Sequence, residues 1–212
     1  MKEKLAISGY CSIRDEKLIV DGKAIAHNPG KSIGDFMSEI YRNFSVCYPK
    51  FHKMDNLGKL GFLVAEMILR DRNINTRYSG DEVGIIMMNS ASSLDTDRIH
   101  QDTIASRSEY FPSPSVFVYT LPNVVIGEIC IRHKFFGEGN FFVAEKFNPD
   151  FIADYITYLF DNKIVGCCLA GWIELDGDKS EAILFLIEKS SKTESGIANF
   201  DASAIMKIYN SK

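Results

Sequence analysis

Three short apolar runs constrain what this chain can fold into more than any other feature. Val83–Met88, Lys163–Ala170 and Ala182–Glu188 are rich in Val, Ile, Leu and Phe. Each has the length of a strand, and near-continuous apolarity is what a strand buried on both faces shows. Around them lie segments whose apolar residues recur every three or four positions. Ile33, Phe36, Met37, Ile40 and Tyr41 follow Ser32; Leu57, Leu60, Val64, Met67 and Ile68 follow Asp55-Asn56; Phe151, Ile152, Tyr155, Ile156, Leu159 and Phe160 follow Asn148-Pro149. Each set lies on one side of a 3.6-residue helix, the Ser, Asp or Asn before it can cap the first turn, and Pro149 suits that turn. Strands alternating with helices predict an α/β layer fold with a mixed or parallel sheet.

The remaining stretches fill in this frame. Leu5–Ser12 reads as a strand and Lys17–Val20 as a short strand or hairpin arm, followed by the turn signal Asp21-Gly22. Phe141–Ala144 reads as a strand, Asp95 and Asp97 open a short helix, and Pro112 and Pro114 break the chain before Val116–Thr120. Gly171–Lys179 contains a turn. Lys189–Gly196 reads as polar and flexible, the start of a polar tail that ends in a short helix or strand. Asn123–Phe135 fits two structures: its β-branched content favours a strand, while Val125, Ile129 and His133 fit a helix.

With 212 residues, 46% of them hydrophobic and 25% charged, the chain suits one large globular domain. The net charge of −4 is spread without a basic block, so nucleic acid is not an expected partner. The N-terminus lacks the apolar segment of a signal peptide, and no run approaches the ~18 apolar residues of a membrane span. Cys11, Cys47, Cys130, Cys167 and Cys168 form no CxxC pair. Neither a disulfide framework nor a zinc site is expected, and reduced thiols in the cytoplasm are the simplest reading.

Motifs that resemble functional sites have plainer explanations. Pro29-Gly-Lys-Ser32 is similar to the end of a phosphate-binding loop, but the required glycine five residues before Gly30 is Ile25. Asp95, Asp97 and His100 suit a metal less well than a helix start, where acidic residues oppose the helix dipole. Cys167 and Cys168 are adjacent on a strand and point to opposite faces, so they serve packing rather than redox chemistry. Trp172 is expected in the core or at an interface. His133 is a candidate base without an acidic or nucleophilic neighbour at a telling spacing.

From Pro112 to Glu188 the order of features resembles a known family. Pro114-Ser-Val-Phe117 precedes Thr120-Leu-Pro-Asn123, the segment Val124–Phe135 and Gly137; a strand and a helix follow, then Gly166-Cys-Cys-Leu-Ala-Gly-Trp-Ile-Glu174 and Ala182–Glu188. This resembles the N-terminal half of the β-ketoacyl-(acyl-carrier-protein) synthases, which have the thiolase fold. Ile7-Ser-Gly, Met54-Asp55 with the helix to Leu69, and Val83–Ser93 agree with it. The resemblance covers about residues 5 to 188. It implies helices layered around a mixed five-stranded sheet, and it favours helix for Val124–His133.

The resemblance places a nucleophilic cysteine near Glu145 or Lys146, at the start of the helix after Phe141–Ala144. There the helix dipole would stabilise a thiolate that takes the acyl group. This chain has no cysteine between Cys130 and Cys167, and the family's two catalytic histidines belong to a C-terminal half not matched here. The resemblance therefore implies a truncated, non-catalytic synthase-like subunit of fatty-acid, aryl-polyene or polyketide-type biosynthesis, with no cofactor and no metal. It would pair with a full-length ketosynthase or with itself through Gly139–Ala144, with Phe141 and Phe142 as interface candidates, and it could meet acyl carrier protein. Ser90, Asn123, His133 and Phe147 are pocket candidates. Two alternatives stand beside this reading. One is an enzyme with relocated chemistry on acyl- or malonyl-carrier protein, using Glu145, His133, Asn123 or the Ser90–Ser93 loop. The other is a binding module for acyl chains or carrier protein, with a groove lined from Pro122–His133 and Phe147–Phe160.

Overall fold

The computed structural model describes residues 3–106, 108, 110–177, 179–193 and 196–211. Its sheet has eight strands: β1 (Leu5–Arg14), β2 (Lys17–Val20), β3 (Lys23–His27), β4 (Val83–Asn89), β5 (Gly139–Val143), β6 (Cys167–Asp176), β7 (Lys179–Lys189) and β8 (Ala198–Asn199). They lie in the order β3-β2-β1-β7-β6-β4-β5, with β8 beside β1. β6, β4 and β5 run parallel, and the other pairs are antiparallel. The mixed α/β fold is as expected, but the sheet is larger than the five strands foreseen. β1, β7, β6, β4 and β5 make those five; β3, its partner β2 and the two-residue β8 extend them. β3 reads Lys-Ala-Ile-Ala-His and is largely exposed, so no burial pattern announces it.

Helices cover both faces. On one lie α1 (Ile33–Asn43), α2 (Asn56–Leu69) and α6 (Val124–His133), which share a core with Leu184, Leu186 and Ile173 of the sheet. On the other lie α7 (Pro149–Asp161) and α8 (Ala202–Tyr209), packed on Ile86, Trp172, Phe185 and Ile187. Short helices α3 (Ile74–Arg77), α4 (Leu94–Asp102) and α5 (Pro114–Val118) fill the connections. Ser32, Asp55 and Asn148 accept backbone N–H bonds at the starts of α1, α2 and α7, which is why these helices begin there. α6 is a helix despite its valines and isoleucines. It packs on α2 where Gly61 has no side chain; a Cβ there would lie 2.8 Å from Val125 Cγ2. Burial against α2 outweighs the local strand preference.

The largest departures from the sequence reading are at β6 and after Lys189. Lys163–Gly166 precedes the strand, and β6 runs on through Gly171 to Asp176, so Trp172 lies inside the strand rather than at its end. Gly171 interrupts nothing; a Cβ there would run into the Ile183 carbonyl of β7, and only glycine permits this close pairing. The stretch after Lys189, read as a polar tail, carries β8 and α8, with Ile205 fully buried. The flexibility expected of Lys189–Gly196 falls partly outside the described residues.

Candidate functional site

The three parallel strands end on one rim, and open α/β sheets place ligand sites beyond such strand ends. Three connections converge there. After β4, Asn89 is fully buried and its side chain closes a turn with Ser92; Ser90 N–H and Oγ–H both donate to Glu174 Oε2 of β6, at 2.7 and 2.6 Å. Ser93 Oγ–H reaches the Thr120 carbonyl at 2.7 Å, which ties this loop to the turn before α6. The corner between β5 and α7 is held to the same place by Ala144 N–H donating to the Asn89 carbonyl at 2.8 Å. The rim thus gathers Ser90, Asn123 and the corner residues Glu145, Lys146 and Phe147.

It does not gather His133. That residue closes the far end of α6, roughly 15 Å from Asn123 at 1.5 Å per residue. Its Nε2 lies 2.7 Å from Glu66 Oε1 of α2, and its ring stacks on Phe135. Burial raises the Glu66 pKa, yet His133 and Arg132 pull it below its ordinary value. His133 is half of a structural pair.

The corner has a distinct orientation. Glu145 and Lys146 are exposed, whereas Phe147 turns inward and is 8% exposed. Its ring stacks on Tyr209 of α8 with centroids 4.1 Å apart and meets Trp172 edge-on at 6.1 Å. Asn148 Oδ1 then accepts from Phe151 N–H and starts α7. The inward position at the mouth of this helix therefore holds a phenyl ring, which has neither nucleophile nor base. Ser90 is tied to Glu174. Its partner Glu174 already accepts two bonds at Oε2 and one from Ala91 N–H at Oε1, so this carboxylate caps a turn.

The thiols lie elsewhere. Cys130 is pushed up by burial, and so are Cys167 and Cys168, the latter two fully buried within β6. A raised thiol pKa means little thiolate and little nucleophilicity. Among the described residues, no group of three or more His, Cys, Asp and Glu could hold a metal. Asp95 instead accepts from Gly177 N–H, Asp97 Oδ1 lies 3.2 Å from Ser93 Oγ, and the His100 ring packs on Phe117. Lys31 of the glycine-lysine-serine motif pairs with Glu39 at 2.5 Å, and Ser32 caps α1.

A buried carboxylate that sequence reasoning missed braces the approach to the rim. Glu128 on α6 accepts from Tyr48 Oη at 2.8 Å and from Lys50 Nζ at 3.0 Å. Burial and this carboxylate push Tyr48 up to about 12, and Tyr119 likewise. Only its place on the apolar side of α6 hinted at it.

Among the described residues, the two segments of the binding-module alternative do not line a common groove. Val125, Ile126 and Ile129 of α6 belong to one core, and Phe147, Ile152, Ile156 and Phe160 belong to the other. The sheet stands between the two segments. A cavity of about 690 Å³ beside α7 is lined by Leu5, Thr157, Phe160, Lys189 and Phe200, with no residue of α6.

The outer side of β5 is open. Among the described residues β4 is its only strand partner, and Val143 is 59% exposed. Since Ala144 N–H points to β4, alternation sends the Phe141 and Val143 N–H groups outward. Phe141 packs toward the α6 core and Phe142 toward α7, where it meets Phe151 and Tyr155 at 4.9 and 5.2 Å.

No family model and no curated protein matches the chain. Solved structures do match, and they define its architecture as the thiolase-like fold of ketosynthases. The ishigamide ketosynthase/chain length factor is 15% identical with a TM-score of 0.64, over 90% of this chain and 63% of that one. A type II PKS ketosynthase structure, in complex with its acyl-carrier protein and bound to a hexaketide, is 12% identical with a TM-score of 0.66, again over 90% and 63%. The ketosynthase ApeO in complex with its chain length factor ApeC, from Xenorhabdus doucetiae, is 12% identical with a TM-score of 0.55, over 89% and 80%. The chain thus spans less than two thirds of the length of the first two. Among the described residues, no helix is long and apolar enough to cross a membrane.

Proposed function

We propose that this chain is a non-catalytic, ketosynthase-like subunit that pairs through the open edge of β5 with a second ketosynthase-fold chain, in polyketide, aryl-polyene or fatty-acid biosynthesis. The observation that carries this reading is β5 itself: a strand with outward N–H groups at Phe141 and Val143 and apolar residues on both flanks. Such an edge pairs with another strand unless something prevents it. Two like strands related by a two-fold axis satisfy both at once.

The corner supports the non-catalytic part. A decarboxylative condensation needs a thiolate to carry the acyl chain, and Phe147 occupies the inward position. Two of the similar structures contain a ketosynthase with a chain length factor, an arrangement in which one chain need not supply the nucleophile. A heteromeric partner is therefore favoured over self-pairing, and acyl carrier protein would be met through that partner.

The test is light scattering of the chain alone and mixed with full-length ketosynthases from the same organism. A defined complex is expected. A chain that stays monomeric with every such synthase defeats the proposal. Incubation with malonyl-carrier protein checks the second half: released CO₂ in the absence of a partner would overturn the non-catalytic assignment.

A further inference from the structure

α8 covers the corner and is short. With eight residues it is shorter than the roughly 12–15 that stand alone in water. It is started by Asp201 and buries Ile205 completely. Its main catch is Tyr209. Phe147 stacks on that ring at 4.1 Å, and the Arg14 guanidinium of β1 lies 4.0 Å from its centroid. Two groups this close to one centroid must take opposite faces, so the ring is clamped. Its hydroxyl donates to Glu181 Oε1 at 2.8 Å, while Arg14 Nε pairs with Glu181 at 3.0 Å and Nη1 donates to the Tyr209 carbonyl.

Behind Phe147 the Trp172 indole is 3% exposed, and among the described residues its Nε1–H has no hydrogen-bond partner. A buried donor without a partner carries a cost that any opening to water relieves. Lifting α8 breaks no pairing among β1, β7, β6, β4 and β5.

We propose that α8 is a releasable latch, that Tyr209 is its catch, and that its release opens the corner at Phe147 and wets Trp172 while the sheet stays folded. The latch lies on the α7 face and leaves the open edge of β5 untouched, so it stands or falls apart from the pairing proposed above. It makes the corner a gated surface rather than a permanently filled one.

Trp172 is the only tryptophan in the chain, so its fluorescence reports on this corner alone. Native-state hydrogen exchange on the full chain should show α8 amides opening about 100-fold or more often than those of β6. A shared opening event for α8 and β6 overturns the proposal. In Tyr209→Ala, acrylamide quenching of Trp172 should rise about twofold with the far-ultraviolet spectrum retained, whereas Tyr209→Phe keeps the clamp and stays nearer wild type. Unchanged quenching in a folded Tyr209→Ala overturns it. So does a Tyr209→Ala chain that cannot fold, because α8 would then belong to the global unit.

Discussion

The two strands that end the sheet's main path, β3 and β5, are built on opposite plans. β3 carries Lys23 and His27, reads Ala-Ile-Ala between them, and meets β2 across a register shift at Leu18/Ile19. Charge and a bulge are the usual devices that keep an edge from pairing. β5 reads Gly-Asn-Phe-Phe-Val, pairs with β4 over five residues in unbroken register, and has no charged residue. An undefended edge at the opposite end of the sheet from a defended one is what the proposed pairing through β5 requires. The same contrast explains why β5 can be short and half-exposed without being a frayed end: aromatic residues hold it from both sides.

The sharpest way to break this contrast is Val143→Pro. Proline removes an outward N–H and leaves the bond from Ala144 to β4 intact. Affinity for the partner should fall about 100-fold or more, as titration calorimetry would show, with the thermal midpoint nearly unchanged. Full affinity would acquit the edge. Val143→Lys copies β3's defence onto β5, and about a tenfold loss is expected; Ile25→Lys on β3 should change nothing, and an equal loss from both would erase the distinction. Asn148→Ala removes the cap at the corner. It should cost about 1 kcal/mol in chemical unfolding without altering association, which separates stability from pairing.

The smallest effect comes from pH. Tyr48, Tyr119 and Tyr209 are held near 12 in the folded chain, chiefly by burial, against about 10 when unfolded. A raised folded value means that stability is fully present below pH 10 and declines as pH rises toward 12. Tyr48→Phe should shallow that decline in thermal melts, and association is best compared below this window.

Much of the frame was legible because caps and apolar spacing are local. Ser32, Asp55 and Asn148 announced their helices, and Val83–Met88 announced the one strand buried along its whole length. β3 was illegible because an exposed edge needs no pattern. Trp172 looked like a strand end because Gly171 reads as a break, and only the opposing Ile183 carbonyl reveals why it is not. The site was legible as a place but not as an arrangement. The corner at Phe141–Asn148 could be located, yet which of Glu145, Lys146 and Phe147 faces inward depends on Tyr209, about sixty residues later. His133 seemed available until Glu66 on another helix claimed it.

The pairing of β1 with β7 also fixes an order of events. Leu5 faces Lys189 and Arg14 faces Glu181, while β7's other neighbour, β6, lies just across the turn at Gly177. During synthesis β1 emerges before β7 and waits for more than 160 further residues before its central partner exists. The hairpin of β6 and β7 closes locally, whereas joining β1 to it closes a loop of more than 160 residues. Ribosome-bound chains cut before β7 should therefore be prone to aggregation, and the arrival of β7 is the step that commits the domain to its fold.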